Sequence, residues 1–188
     1  YEDSDEVIKP QWAIQLVAQL LGDEVVIVSD VGQHQMWAAM FYPFNNARQW
    51  INSGGLGTMG YGFPAALGVK KGRPDQTVIN FTGDGSILMN MQELITASEF
   101  DIPVVNVILN NNYLGMVRQW QTFFYEKRHS QTDLIYGPDF VQLAQSCGGI
   151  GYNVETKEEF DKALEDAVQS GRVAFINVAV ARMENVLP

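Results

Sequence analysis

Residues 77–94 read TVINFTGDGSILMNMQEL. Residues 77–84 (TVINFTGD) read as a β-branched, apolar run, the pattern of a strand buried on both faces. The run stops at Gly83-Asp84-Gly85, an acidic residue between two glycines. Asn90 and Glu93 then make a cap-like pair, which predicts a helix starting near Asn90 rather than at Asp84. The Asp84 carboxylate is thereby left for another task. The flanking glycines are expected to let the backbone turn sharply and a ligand approach the main chain.

Working outward, the same strand-then-helix unit recurs. Residues 25–30 (VVIVSD), 104–111 (VVNVILNN) and 174–180 (AFINVAV) read as buried parallel strands, with 48–53 and 150–156 as weaker candidates. Helices alternate with them. One opens on Pro10, repeats Trp12, Leu16 and Leu20 at helical spacing, and closes at Gly22. Another opens at Thr156, with Glu159 completing a capping box. The fold class is α/β, a three-layer domain with a mostly parallel sheet flanked by helices. Ligands in such sheets collect at the carboxyl ends of the strands.

The chain has 188 residues, 46% of them hydrophobic, enough for one domain spanning 1–188. The acidic stretch 1–9 reads as a linker, and the whole as a piece of a larger protein. Twenty-two acidic against twelve basic side chains leave a net charge of −10, which argues against nucleic-acid or anionic-membrane partners. A phosphate ligand would need a metal or backbone N–H groups. The single cysteine, Cys147, lies in an apolar helical pattern, reads as a small core residue and fits a reducing, cytoplasmic setting. No apolar run approaches the ~20 residues of a membrane span.

The strand at 104–111 leads into Asn110-Asn111-Asn112, and 111 − 84 = 27 residues is one loop, helix and strand. Adjacent parallel strands would set Asp84 beside an asparagine. One carboxylate, one amide oxygen and a backbone carbonyl make a hard oxygen set suited to Mg²⁺, which completes its shell with phosphate and water. Asp and Asn also end strands for local turn reasons alone. A separate glycine-rich stretch contains GxGxxG from Gly55 to Gly60, a pattern shared with dinucleotide sites. Met116 and Trp120 are four residues apart, on one helical face, as core residues or as a pocket wall. His129 has no derivable role.

These motifs resemble the thiamine diphosphate (ThDP) fingerprint, GDG followed one unit later by NN. The strings VGQHQMWAA (31–39), INSGGLGTMGYGFPAALG (51–68) and LGMVRQWQ (114–121) are similar to the C-terminal, pyrophosphate-binding domain of the acetohydroxyacid (acetolactate) synthase family. The resemblance covers essentially the whole chain. It implies that Asp84, the Asn111 side chain and the Tyr113 main-chain carbonyl bind Mg²⁺. Gly83, Gly85 and Ser86 would lie against the diphosphate, with Val31, Gly32, Gln33 and His34 on its other side. Gly57 and Met59 would meet the central part of ThDP, Met59 bending it into a V. Gly115 and Met116 would complete the cofactor site, and Met116, Val117 and Trp120 would border the substrate pocket.

The implied reaction joins pyruvate to a second 2-ketoacid, pyruvate or 2-ketobutyrate, with loss of CO₂, in branched-chain amino-acid biosynthesis. The activating glutamate of the family belongs to an N-terminal domain and FAD to a middle domain, neither within these 188 residues. The isolated chain is therefore expected to be inactive, with N-terminal and FAD-binding domains, a homodimer mate and a regulatory subunit as partners. Three other readings stay open: a different ThDP enzyme such as pyruvate oxidase or glyoxylate carboligase, a dinucleotide-binding module using Gly55–Gly60, and a non-catalytic interaction domain.

Overall fold

The computed structural model describes residues 1–187. Six strands, β1 (Val26–Ser29), β2 (Trp50–Ile51), β3 (Val78–Gly83), β4 (Val105–Asn110), β5 (Ile150–Val154) and β6 (Ala174–Ala179), pair in the order β2-β1-β3-β4-β6-β5. Every pairing is parallel. The helices are α1 (Pro10–Leu21), α2 (Gln33–Phe41), α3 (Gly62–Gly72), α4 (Asp84–Ile87), α5 (Glu93–Glu99), α6 (Gly115–Phe124), α7 (Phe140–Ser146) and α8 (Lys157–Gln169).

The two-residue period of the strands divides the core into two layers. Ile27, Ile79, Phe81, Val107 and Ile176 point to one face and pack on α1, α2 and α8. Val26, Val28, Val78, Ile108 and Phe175 point to the other and pack on α3, α5 and α7. Each fully buried large side chain, such as Phe160 or Phe175, contributes about 1.5–3 kcal/mol. Asparagine pairs lock the register: between buried residues Asn80 Nδ2 donates to Asn106 Oδ1 at 2.8 Å, and between partly buried ones Asn110 Nδ2 donates to Asn177 Oδ1 at 3.0 Å. A slip of one residue would turn these amides to the opposite face.

Element ends follow the sequence signals in several places. Pro10 opens α1, and Gly22, at φ 68°, follows its end and donates its N–H to Ala18. Thr156 and Glu159 form the expected capping box on α8. The helix expected near Asn90 departs from the reading. A four-residue turn, α4, starts at Asp84 itself, and the next helix starts only at Glu93. Asn90 does not cap it, because its Nδ2 donates across the loop to the Gly60 carbonyl at 2.7 Å. Residues 1–9, read as a linker, contain no helix or strand, yet they are docked. Ile8 is buried in the core and pairs with Val180. Cys147 ends α7 half-buried against the second core layer.

From β1 the chain passes to α2 on one face; from β3 it passes to α4 and α5 on the other. The loops after these two neighbouring strands therefore diverge, opening a crevice at their carboxyl ends.

Candidate functional site

A cleft lies at that divergence. Its first wall is the turn after β1: Val31, Gly32, Gln33 and His34. Gly32 precedes α2 with no side-chain cap, so the first N–H groups of the helix lack intrahelical partners and, with the helix dipole, favour an anion. The second wall is Gly83, Asp84, Gly85 and Ser86; the third is Asn111, Tyr113, Gly115, Met116 and Val117, from the end of β4 into α6. Met59 reaches the cleft from the glycine-rich loop. Trp37, Leu109 and Leu114 also line it; as ordinary apolar residues they carry no sequence signal for a site.

Two residues singled out in the sequence lie outside this lining. Gly57, in the left-handed conformation at φ 58°, shapes the loop that presents Met59. Trp120 is 56% exposed, one turn of α6 beyond Met116. It is therefore neither core nor cleft wall in this chain. His129 lies exposed on the loop after α6, its ring against the Thr122 hydroxyl.

Asp84 is 5% exposed, and among the described residues nothing donates to its Oδ2. Burial pushes its carboxyl up to about 7; the N–H groups of Gly85, Asn112 and Tyr113 partly oppose the shift. A buried carboxylate oxygen without a partner is costly in the protein alone. A divalent cation would supply that partner and keep the group ionised. Asn111 is equally buried, its Oδ1 accepting the Tyr113 N–H at 3.0 Å and its Nδ2 donating to Gln33 Oε1 at 3.1 Å. Among the described residues no three His, Cys, Asp or Glu side chains form a metal cluster. The donors present fit a cation that accepts one carboxylate with neutral oxygens, as Mg²⁺ does.

His34 is 5% exposed, and among the described residues nothing partners its Nε2. Desolvation pulls its pKa down to about 3, with the Asp30 backbone opposing, so the ring is neutral at pH 7. Ser86 donates its hydroxyl to the Val31 carbonyl at 2.8 Å, tying the first two walls together.

The glycines around Asp84 serve a purpose other than the sharp turn expected. Gly83 has φ −103°, and Gly85 is not among the positive-φ glycines. A Cβ on Gly83 would meet His34 Nδ1 at 2.9 Å, and one on Gly85 would meet Leu114 Cδ2 at 2.8 Å. Close packing, not backbone handedness, requires glycine at both positions.

Asp30, one residue beyond β1, is a structural key that the sequence reading passed over. It is fully buried and accepts N–H groups of Val31 at 2.7 Å, Gly60 at 2.8 Å and Gly62 at 3.0 Å. It thus ties the loop bearing Met59, and the start of α3, to the end of β1. The available signal was an acidic residue closing an apolar strand, as at Asp84. The GxGxxG stretch follows the two-residue edge strand β2 rather than β1 or β3, and of its residues only Met59 lines the crevice between those two strands, which argues against a dinucleotide fingerprint there.

The chain matches the model of the thiamine pyrophosphate enzyme C-terminal TPP-binding domain over residues 30–178. It is 49% identical over 189 residues to the acetolactate synthase large subunit of Haemophilus influenzae, covering 100% of this chain and 33% of that protein. It is 50% identical over 191 residues to the acetolactate synthase isozyme 3 large subunit of Escherichia coli, with the same coverages. Among solved structures, the Rhodococcus jostii thiamine diphosphate-dependent 4-hydroxybenzoylformate decarboxylase superposes with a TM-score of 0.88 at 27% identity, over 95% of this chain and 34% of that one. The chain spans about a third of the length of these relatives. A cleft built at the β1/β3 divergence, within the matched residues, is what this match leads one to look for, and the chain belongs to the thiamine pyrophosphate enzymes as their C-terminal TPP-binding domain.

Proposed function

We propose that this domain holds the diphosphate end of ThDP through Mg²⁺ in an acetolactate synthase large subunit. In that enzyme it would take part in condensing pyruvate with pyruvate or 2-ketobutyrate, with loss of CO₂, toward branched-chain amino acids. The observation that carries the reading is the buried Oδ2 of Asp84, without a partner among the described residues, in a cleft that otherwise offers only neutral donors and acceptors.

When bound, ThDP supplies the electron sink for decarboxylating a 2-ketoacid. The chain's own residues bind and orient. Asp84, Asn111 Oδ1 and the Tyr113 carbonyl would hold the Mg²⁺, and the start of α2 would face the diphosphate from the opposite wall, with neutral Gln33 and His34 adding no charge. Gly83, Gly85 and Ser86 keep the second wall low enough for the main chain to meet that diphosphate. Met59, fixed by the Asp30-anchored loop, would support the middle of the cofactor, assisted by the turn at Gly57. Gly115 and Met116 would close the third wall. Val117 and the exposed Trp120 would meet the substrate where the rest of the enzyme completes the pocket. The glutamate that activates the cofactor, FAD, the second subunit of a homodimer and a regulatory subunit all fall to parts beyond these residues, so the domain alone would be inactive.

Calorimetric titration of ThDP into the full-length protein, with Mg²⁺ and with chelator, tests the reading. Binding that depends on Mg²⁺ is expected; equal affinity in chelator would remove the metal from the site.

A further inference from the structure

We infer that the C-terminal segment Glu184–Val186 sets, through Gln119 and Gln33, which end of the Asn111 amide is presented as oxygen, making Gln119 a positioning residue for the divalent cation. The inference rests on the reading of Asp84, Asn111 and Tyr113 as metal ligands.

A side-chain amide keeps nearly the same shape when turned over, so only the identity of its partners selects its orientation. Backbone groups cannot exchange roles, and such groups stand at both ends of this network. At one end, the Val186 N–H donates to Gln119 Oε1 at 2.8 Å, and Gln119 Nε2 donates to the Val186 carbonyl at 2.8 Å. That pairing commits Gln119 Oε1 to accept from Gln33. Gln33 Nε2 donates to it at 2.9 Å and also to the Glu184 carbonyl at 3.1 Å. Gln33 Oε1 is left to accept from Asn111 Nδ2 at 3.1 Å, and Asn111 Oδ1 takes the Tyr113 N–H at 3.0 Å. Turning any one amide over would oppose donor to donor and acceptor to acceptor among buried groups, the costly arrangement.

Two further observations separate this network from incidental packing. A Cβ on Gly115 would lie 2.0 Å from Gln33 Oε1 and 3.1 Å from Asn111 Nδ2, so α6 begins without a side chain where the relay passes. The segment that serves as reference also has anchors of its own. Lys9 reaches Glu184 Oε2 at 2.7 Å, Gln11 reaches Oε1 at 3.1 Å, and the Arg118 guanidinium donates to the Glu184 carbonyl and to Asn185 Oδ1. A hard cation binds an amide through oxygen, so an inverted Asn111 would turn an NH₂ group to it. The relay excludes that state before any cation arrives.

The test follows ThDP binding to the full-length protein by quenching of its intrinsic fluorescence while Mg²⁺ is titrated, with melting temperature of the cofactor-free protein measured alongside. Gln119→Met removes the relay. Lys9→Met loosens the segment without touching the relay. The half-saturating Mg²⁺ concentration is expected to rise ~10- to 100-fold in Gln119→Met, the range for supporting partners of metal ligands. It should stay within about twofold of the parent value in Lys9→Met, even where this variant melts earlier. A parent-like Mg²⁺ requirement in folded Gln119→Met overturns the inference. So does a requirement that rises in Lys9→Met in step with its loss of melting temperature, since stability alone would then explain it; this second arm decides the matter if Gln119→Met does not fold. Mg²⁺-independent ThDP binding by the parent protein, or by Asp84→Ala, would instead defeat the underlying metal reading.

Discussion

Asp30 and Asp84 follow neighbouring parallel strands, and both are buried at the rim of the sheet, yet their surroundings differ. Three backbone N–H groups satisfy Asp30, whereas Asp84 keeps one oxygen without a partner among the described residues. Burial raises the pKa of both. The shift therefore does not separate scaffold from site; the completeness of hydrogen bonding does. A satisfied carboxylate holds the chain together, and an unsatisfied one marks the candidate site.

The largest effect should come from Asp84→Ala, expected to weaken Mg²⁺-dependent ThDP binding more than ~100-fold by calorimetry. Asp84→Asn sharpens the contrast through its effect on the cofactor-free protein. Because the folded pKa of about 7 lies above the ordinary 3.8, the Asp84 contribution to stability is full below pH 3.8 and lost as pH rises through 7. At pH 8 Asp84→Asn should accordingly raise the melting temperature while abolishing metal-dependent binding. Asp30→Ala should do the reverse in stability, costing about 2–3 kcal/mol by urea unfolding at pH 7, since it leaves buried N–H groups unpaired. Equal destabilisation by the Asp84 and Asp30 variants would erase the distinction.

His34 extends the comparison to acid. Its folded pKa of about 3 lies below the ordinary 6.5, so its contribution is complete above pH 6.5 and lost as pH falls toward 3. By pH 5 the loss should be on the order of 2 kcal/mol, and His34→Gln should flatten that part of the pH–stability curve. Smallest is Thr156→Ala, far from the cleft. It should cost about 1 kcal/mol by loss of the α8 cap and leave the Mg²⁺ requirement for ThDP unchanged.

Much of this was legible in the residues themselves. β-Branched runs at 25–30, 77–84, 104–111 and 174–180 marked the four central strands, because strands buried on both faces leave no room for polar alternation. Asp84 and Asn111 stood out as candidates because each ends a buried run and 27 residues, one loop, helix and strand, separate them. The rest depended on distance in sequence. Nothing near Gly83 or Gly85 reveals that His34 and Leu114 occupy the space of their missing side chains. Asn90 carried a good local cap pattern, and a carbonyl 30 residues away outcompeted it. Gln119 carries no local signal of its role, since its partner Val186 lies 67 residues on.

The parallel bridge between Ile8 and Val180, with the Ala181 N–H donating to the Ile8 carbonyl at 2.9 Å, bears on the order of assembly during synthesis. At the usual pace of translation Val180 follows Ile8 by roughly 10 to 35 s, far longer than a helix needs to form. From the moment β4 is made until β6 follows it, β4 lacks that neighbour and stands as an open edge, the condition under which nascent chains pair with the wrong partner. The cleft walls are all made by residue 117, but the layer behind them is sealed only when the last strand arrives, so the walls of the site precede the strand that supports them.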